Sequence, residues 1–291
     1  MKKFKINLLF ILVVLLIFSG TATALRVAPG AFCAQGVEIG RDLNLGIDVA
    51  VDNETKREMD FSLKITKPEM PRGTSVSGYS QMPDVSWFYL EEDKITIPAG
   101  GQGRSRMHVK IPDEDKYYNQ HWAVSCLVEY AEGKGLFQEA ISTIYMIETK
   151  SKINPAEPPY GKLGVAPSIV NIKGRKALTS FKIFNNTPTS RLYKVETFIP
   201  ETKKGLLVIN SSRGFEWAGS VSWIKPAVKR IWLARGESKE VYLRANLPEG
   251  VDLSAGGVEV LVFVESDKGE KNFVRVWVEE KAGSKGGDET E

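Results

Sequence analysis

"DVSWFYLEEDKITIPAGGQ" spans Asp84 to Gln102, and "SVSWIKPAVKRIWLARGES" spans Ser220 to Ser238. In both segments Val-Ser-Trp precedes an isoleucine, a short strand-like run and a turn that contains glycine. A tripeptide that recurs in the same local setting indicates either one binding site used twice or one fold built twice. The order of the surrounding segments favours the second interpretation.

Other segments recur in the same order around Val-Ser-Trp. Leu25–Gly36 ("LRVAPGAFCAQG") corresponds to Leu163–Gly174 ("LGVAPSIVNIKG"), and Arg106–Glu114 corresponds to Val241–Gly250. In each half, short alternating strands are separated by turn signals about every 8–12 residues, which is typical of a β-sandwich. The sequence therefore predicts an all-β protein of two tandem immunoglobulin-like antiparallel β-sandwiches.

The repeated order is strand, Asn-containing turn, strand, Trp, strand, Gly-containing turn and a strand that ends at Pro. This order resembles PapD-like sandwich domains, which occur in periplasmic pilus-assembly chaperones and in bacterial surface proteins. The resemblance implies a chaperone-like or structural role in the assembly of a pilus-like or cell-surface structure, or in adhesion. The chaperones carry a basic pair between their domains, and Arg26 stands at a suitable place before the first strand.

The two ends and the middle of the chain differ in composition from the rest. Three early lysines, an apolar run and Ala22-Thr23-Ala24 fit a cleaved secretory signal peptide, so we expect a periplasmic or extracellular protein with no membrane span after cleavage. Prolines in the middle favour a semi-stiff linker. The predicted segments are a signal peptide (1–24), a first sandwich (25–150), a linker (151–162), a second sandwich (163–281) and a disordered tail (282–291).

Charge is balanced overall but divided unevenly between the halves. Without the three leader lysines, 36 basic residues face 36 acidic residues, which gives no reason to expect nucleic acid as a partner. Residues 25–150 carry 14 basic and 19 acidic side chains, whereas residues 151–291 carry 22 and 17. This difference can orient the two halves or a partner.

No pattern in the sequence marks a catalytic or metal site. His108 and His121 are the two histidines, and neither has a second His or Cys at ligand spacing. The acidic runs Glu91–Asp93 and Asp113–Asp115 lack the spacing of a calcium loop and are interpreted as solvated turns. We therefore expect a protein that is not an enzyme and that uses no metal and no cofactor.

Cys33 and Cys126 are the two cysteines, and an exported protein keeps disulfides. A Cys33–Cys126 disulfide is one interpretation, and two free buried thiols are the alternative. Asn53, Asn185 and Asn210 each begin an N-x-S/T pattern, which is expected by chance in Asn-rich and Thr-rich turns.

Two long connectors precede the Val-Ser-Trp segments, Lys67–Asp84 and Pro200–Ser220. Loops of this length are commonly functional, and an edge strand in the second, around Leu206–Ile209, would recruit another protein by strand addition. The predicted partner-binding residues are Tyr79, Lys203, Lys204, Leu207, Ile209, Arg213, Phe215 and Trp217.

The sequence favours other exported or envelope proteins as the partners of this chain. The alternative is a carbohydrate-binding module for envelope or extracellular glycans, for which Trp217, among Gly and Ser, is the candidate stacking ring. Trp87 and Trp223 are expected to be structural core residues, each with less than half of its ring exposed.

Overall fold

The computed structural model describes residues 25–69, 78–131, 140–200, 209–253 and 256–280. The predicted signal peptide and C-terminal tail lie outside the described residues. So do most of the first-half hairpin turn, the central part of the first long connector (70–77) and the early part of the second (201–208).

Twenty strands and three short 3-10 turns are found in the described part of the chain. The strands of the first half are β1 (Arg26–Ala28), β2 (Ala31–Val37), β3 (Asp42–Asp52), β4 (Met59–Thr66), β5 (Ser80–Gln81), β6 (Phe88–Leu90), β7 (Lys94–Ile97), β8 (Gln102–Lys110), β9 (His121–Tyr130) and β10 (Ala140–Thr149). Those of the second half are β11 (Leu163–Ala166), β12 (Ile169–Lys173), β13 (Lys176–Asn185), β14 (Arg191–Phe198), β15 (Phe215–Trp217), β16 (Ile224–Pro226), β17 (Arg230–Leu233), β18 (Ser238–Asn246), β19 (Gly257–Ser266) and β20 (Lys271–Glu279). The 3-10 turns are Val85–Trp87, Asp115–Tyr117 and Val221–Trp223.

Both halves have the same sheet topology. One sheet has the order β1-β3-β8-β6 in the first half and β11-β13-β18-β16 in the second. The other sheet has the order β2-β10-β9-β4-β7 in the first half, where β5 also pairs with β9. In the second half its order is β12-β20-β19-β14-β17, and β15 also pairs with β19. The prediction of two tandem all-β sandwiches is therefore confirmed.

The sheets are mainly antiparallel, with a parallel pair where the first strand of each half changes sheet. Only Pro29 and Gly30 separate β1 from β2, yet β1 pairs antiparallel with β3 and β2 pairs parallel with β10. The chain thus crosses from one sheet to the other. The second half repeats this arrangement with β11 and β12. The short strands β5 and β15 also pair in parallel.

Strand alternation fills each sandwich. In β18, for example, Val241, Leu243 and Ala245 are buried, while the residues between them are exposed. Successive side chains of a strand point to opposite faces, so one face supplies the core. Each fully buried Val, Leu or Phe side chain contributes roughly 1.5–3 kcal/mol relative to exposure.

Two asparagines close equivalent turns after β3 and at the end of β13. The amide nitrogen of Asn185 donates to the carbonyl oxygens of Thr189, Leu233 and Ala234, and its oxygen accepts from Thr187. Asn53 makes the matching set of bonds in the first half. Both side chains are buried, so these N-x-T patterns encode turn structure, and their amide nitrogens are not accessible for glycosylation in the folded protein.

The predicted Cys33–Cys126 disulfide is wrong, because both cysteines are free thiols. Strand β10 lies between their strands and pairs Met146 with Cys33 and Thr143 with Cys126. Strands that are separated by one intervening strand lie about 9–10 Å apart, which exceeds the roughly 7 Å limit on the Cα–Cα distance of a disulfide. Residues 143 and 146 also face opposite sides of β10, so the two thiols lie on different faces of the sheet.

Candidate functional site

Each Val-Ser-Trp forms a 3-10 turn that leads into an edge strand. The side chain of Asp84 accepts the N–H of Ser86 at 2.9 Å, and that of Ser220 accepts the N–H of Ser222 at 3.2 Å. Such short polar side chains stabilise tight turns by accepting a nearby backbone N–H. The residue before the tripeptide therefore fixes where the strand begins.

The two tryptophans of these turns are partly buried and pack against the cores of their halves. The Trp87 ring lies 4.9 Å from that of Tyr117 and 5.8 Å from that of Trp122. Trp223 lies against Gly219, where a β-carbon would come within 3.1 Å of the indole ring. Neither ring is more than half exposed, which agrees with a framework role for both.

A surface groove lies beside each Val-Ser-Trp turn. The first groove, of about 680 Å³, is lined by Leu63–Ile65 of β4, Val85, Ser86, Phe88–Glu91 and Asp93. The second groove, of about 630 Å³, is lined by Lys194–Thr197 of β14, Val221, Ser222, Ile224–Pro226, Lys229 and Arg230. The two grooves are the same feature built twice, at the open side of each sandwich.

The two grooves differ in charge. The first has one basic residue, Lys64, and two acidic residues, Glu91 and Asp93. The second has four basic residues, Lys194, Lys225, Lys229 and Arg230, and one acidic residue, Glu196, which pairs with Lys194. Within the described residues, the other three cations of the second groove form no ion pair.

Among the described residues, no strand pairs with the end of β14 that borders the second groove. Strand β17 pairs with β14 only as far as Lys194 opposite Arg230, and the N–H of Val195 then donates to the carbonyl of Lys229 at 2.9 Å. Backbone N–H groups two residues apart point to the same side of a strand, so the N–H of Thr197 points toward the groove beyond the end of β17. This end of β14 offers backbone pairing to an added strand.

The two sandwiches meet at a buried interface formed by the outer faces of their larger sheets. The interface cluster consists of Tyr79, Ala123, Met146, Ile209, Leu261 and Phe273, with Cys33, Ile144, Phe198, Trp217 and Phe263 packed against it. Tyr79 lies against Phe273, with ring centroids 5.4 Å apart. Gly78 approaches the same ring so closely that a β-carbon would lie 2.7 Å from it. The end of the first connector is therefore held between the halves.

A buried triad of charged residues joins the halves beside this cluster. Arg275 of β20 donates two hydrogen bonds of 2.6 Å to Glu148 of β10, and a third, of 2.5 Å, to Glu259 of β19. Tyr79 donates to Glu148 at 2.5 Å, and the N–H of Ser212 donates to Glu259 at 2.6 Å. Arg275 is 0% exposed, so the guanidinium depends on these carboxylates to remain charged away from water.

The pKa values at the interface follow from burial and from this triad. Burial raises the pKa of Glu148, but the positive charge of Arg275 outweighs it and leaves the pKa below its ordinary value. Burial, together with the negative charge of Glu148, raises the pKa of Tyr79 and of the Cys33 thiol well above their ordinary values. Glu148 is thus an anion, while Tyr79 and Cys33 remain protonated.

His121 occupies the interface in one tautomer. The oxygen of Asn272 accepts the N–H of Phe273, and its nitrogen donates to the carbonyl of Leu163, which fixes the amide orientation. Nδ1 of His121, 2.8 Å from that oxygen, is therefore the donor. The imidazole stacks on the ring of Phe273, with the ring centroids 3.9 Å apart. Burial lowers the pKa of His121.

Of the five predicted partner-binding residues that the structure describes, four do not form a free surface. Tyr79 and Ile209 are 5% and 2% exposed, and their assignment as surface contacts is wrong because they fill the interface cluster. Phe215 and Trp217 form β15 and are partly buried, with Phe215 stacked on Trp277 at 4.7 Å. Arg213 is exposed. Lys203, Lys204 and Leu207 lie outside the described residues.

Sequence reasoning missed the buried triad. Its signal is a single charge within an otherwise apolar strand, as at Glu148 in "IYMIET", Glu259 in "VEVLVF" and Arg275 in "FVRVWV". Such residues are almost never fully buried unless they are paired.

The described residues contain no cluster of His, Cys, Asp and Glu able to hold a metal ion. His108 lies on the outer face of β8 and contacts Asp42 at 3.4 Å and Glu91 at 3.2 Å. Among the described residues, no helix has the length and apolar character needed to cross a membrane.

No protein-family model and no curated protein matches the sequence. A protein of unknown function from Porphyromonas gingivalis is similar in structure, with 9% identity, a TM-score of 0.34 and coverage of 88% of this chain and 99% of that chain. The Escherichia coli chaperone DraB has 11% identity, a TM-score of 0.30 and coverage of 88% and 97%. A PapD-like domain of human CEP192 has 10% identity, a TM-score of 0.33 and coverage of 44% and 85%.

The similarity to these three chains is one of structure only. The shared strand order of the two halves carries the fold assignment without these comparisons.

Proposed function

We propose that this chain is an exported, non-enzymatic protein that binds an extended segment of another exported protein in the second groove. Its role is chaperone-like or structural, in the assembly of a cell-surface or pilus-like structure or in adhesion, as the resemblance of its sequence to PapD-like domains implies. The observation that carries the proposal is the open edge of β14 beside an apolar groove with a basic rim.

The backbone edge supplies affinity that does not depend on sequence. A segment that enters the groove adds to sheet β12-β20-β19-β14-β17 beyond the end of β17, and it pairs with the backbone of Thr197. In recognition by strand addition, main-chain hydrogen bonds hold the partner, and pockets for alternate side chains select it. The exposed Val221 and the buried Ile224 provide the apolar contacts.

The rim of the groove defines the charge of the segment. Lys225, Lys229 and Arg230 line the second groove without ion pairs among the described residues, so an acidic segment with alternating apolar side chains is complementary to it. The first groove carries the opposite balance of charge and repels such a segment. Charge complementarity of this kind raises association rates and excludes wrong partners.

The experiment uses the chain from Leu25 onward, a short labelled peptide of alternating Val and Glu, and a matched Val and Lys peptide. We expect saturable binding of the acidic peptide, and a loss of at least tenfold in affinity when Val221→Asp places a charge in the second groove. Val85→Asp is the matched control in the first groove and should leave affinity within twofold. Equal binding of both peptides, or equal losses in both variants, would refute the assignment.

A glycan-binding function is the second candidate, and one observation favours it. Trp232 on the edge strand β17 is 60% exposed and lies opposite Leu192 of β14. An exposed indole on a sheet can stack on a sugar face. Glycan binding that is lost in Trp232→Ala but retained in Val221→Asp would favour this function over the first.

A further inference from the structure

We propose that the solvent face of the sheet β11-β13-β18-β16 docks on an anionic lipid bilayer. This basic face is formed by Lys176, Leu178 and Lys182 of β13, Tyr242 and Arg244 of β18, and Lys225 of β16. The proposal is independent of peptide binding in the second groove, although Lys225 borders both surfaces.

The strand register places these side chains together. Leu178 pairs with Arg244, which pairs on its other side with Lys225, so one row across the sheet holds a leucine and two cations. Ser180 pairs with Tyr242 in the next row on the same face. Side chains of paired residues lie about 4.5–5.5 Å apart, so the rows form one continuous surface.

Two apolar side chains on this face project into solvent. Leu178 is 64% exposed and Tyr242 is 47% exposed. All the exposed large hydrophobic side chains among the described residues lie at or beyond Ile153, so the first half contributes none of them. An exposed leucine and a tyrosine on one face are suited to the boundary between headgroups and acyl chains, where an amphipathic ring places its apolar body inward.

The charges around these two residues are mostly positive. Lys176, Lys182, Lys225 and Arg244 are exposed. Among the described residues none of them lies within ion-pair distance of a carboxylate, but Lys182 is the cross-strand partner of Glu240 and partly offsets its charge. The acidic residue of this face, Glu240, accepts hydrogen bonds from Ser180 and from Tyr242. Exposed Lys and Arg side chains close to an anionic leaflet each strengthen binding.

The same face of the first half is built differently. There, Arg106 pairs with Asp48 at 3.8 Å and with Glu91 at 3.6 Å, and His108 contacts both Asp42 and Glu91. Opposite charges therefore neutralise one another on this face of the first half, whereas on the described face of the second half four cations stand against one carboxylate, Glu240. Since the two sheets have the same topology, this difference comes from side chains and not from the fold.

A lipid surface fits these observations better than a protein groove or a soluble polyanion. The face is the solvent side of a four-stranded sheet, and its leucine has no role in binding a soluble anion. Anionic headgroups pair with the cations while Leu178 and Tyr242 enter the interfacial region. The basic face would place the second groove close to the membrane surface, because Lys225 belongs to both.

The test is co-sedimentation of the chain from Leu25 onward, since the predicted leader would itself bind lipid. One set of vesicles contains phosphatidylglycerol and phosphatidylcholine in equal amounts, and the other contains phosphatidylcholine alone. We expect binding only to the anionic vesicles. The double variant Lys182→Gln with Arg244→Gln should weaken it roughly 25-fold, since each cation near the surface contributes about fivefold.

The matched control is Arg104→Gln with Lys110→Gln, on the same face of the first half, which should change binding less than twofold. Leu178→Ser with Tyr242→Ser should weaken vesicle binding while binding to soluble polyphosphate, the competing anion, is unchanged. Equal binding to both vesicle types, or equal losses in variant and control, would overturn the proposal. Capture by polyphosphate without capture by vesicles would also overturn it. Binding of the acidic Val-Glu peptide should be unchanged in the Leu178 and Tyr242 variant, which separates this test from that of the groove.

Discussion

Replacement of Arg275 by methionine tests the buried triad that joins the two halves. In the native protein its guanidinium donates two hydrogen bonds to Glu148 and one to Glu259, with Arg275 and Glu259 0% exposed. Methionine fills similar space but leaves two carboxylates without a cation in a site closed to water. Removal of one partner of a buried ion pair costs about 3–5 kcal/mol, because a buried charge remains uncompensated.

A surface pair on the same hairpin provides the control. Lys271 and Glu265 lie opposite each other on β20 and β19, 3.3 Å apart and partly exposed. Lys271→Met should cost about 0–1 kcal/mol, as expected for a surface ion pair.

The assay is urea unfolding of the chain from Leu25 onward at neutral pH, followed by tryptophan fluorescence and circular dichroism. We expect Arg275→Met to lower the free energy of unfolding by about 3–5 kcal/mol. It should also separate the unfolding of the halves into two transitions, because the triad and the interface cluster connect them. A loss within 1 kcal/mol of the Lys271→Met control, with a single unchanged transition, would refute the argument.

Three further predictions follow from individual residues. The pKa of Glu148 is lower in the folded protein than its ordinary value of 4.5, so its stabilising contribution is complete above that pH and is lost as the pH falls. Glu148→Gln should therefore flatten the fall of the urea midpoint below about pH 4.5. An unchanged profile would contradict the pKa shift. Burial lowers the pKa of His121 below 6.5, so His121 is protonated at higher pH in the unfolded chain than in the folded protein. Stability should therefore begin to fall as the pH drops through 6.5. This part of the urea profile should vanish in His121→Gln, and its persistence would assign it to another group. Asn185→Ala leaves three carbonyl oxygens without their donor and should lower the free energy of unfolding by about 2–4 kcal/mol. The control Asn210→Ala removes an exposed side chain and should lower it by less than about 0.5 kcal/mol. Similar losses in the two variants would contradict the role of Asn185 in the turn.

The repeat could be predicted because the strands and turns of each half are specified by local sequence. Alternation of apolar residues identified the strands, and the order of segments around Val-Ser-Trp showed that they recur. The framework role of Trp87 and Trp223 followed from the same comparison, because equivalent residues after equivalent connectors indicate a shared structural need. Such arguments depend on neighbours in sequence.

The interface between the halves could not be predicted in this way. Tyr79 stands among Gly and Ser in a long connector, where an aromatic residue suggests a surface contact, yet it fills a buried cluster with residues nearly 200 positions away, such as Phe273. Nothing local distinguishes an aromatic that binds a partner from one that binds the other half of its own chain.

The cysteines illustrate a related limit. Cys33 and Cys126 lie on strands of one sheet, but whether they can be bonded depends on strand order and on which face each side chain occupies. Strand β10 lies between them, and their partners on it, Met146 and Thr143, point to opposite faces of the sheet. Strand order and register are long-range properties that alternation alone does not determine.

Hydrogen exchange at the backbone of β14 tests the proposed function most directly. Amide exchange is followed in the chain from Leu25 onward, with and without the acidic Val-Glu peptide at saturation. The N–H of Thr197, at the open edge beside the second groove, should become protected, whereas that of Ile65, its counterpart in the first groove, should not change. Binding of the peptide with no protection at Thr197, or with equal protection at Ile65, would contradict strand addition at the second groove.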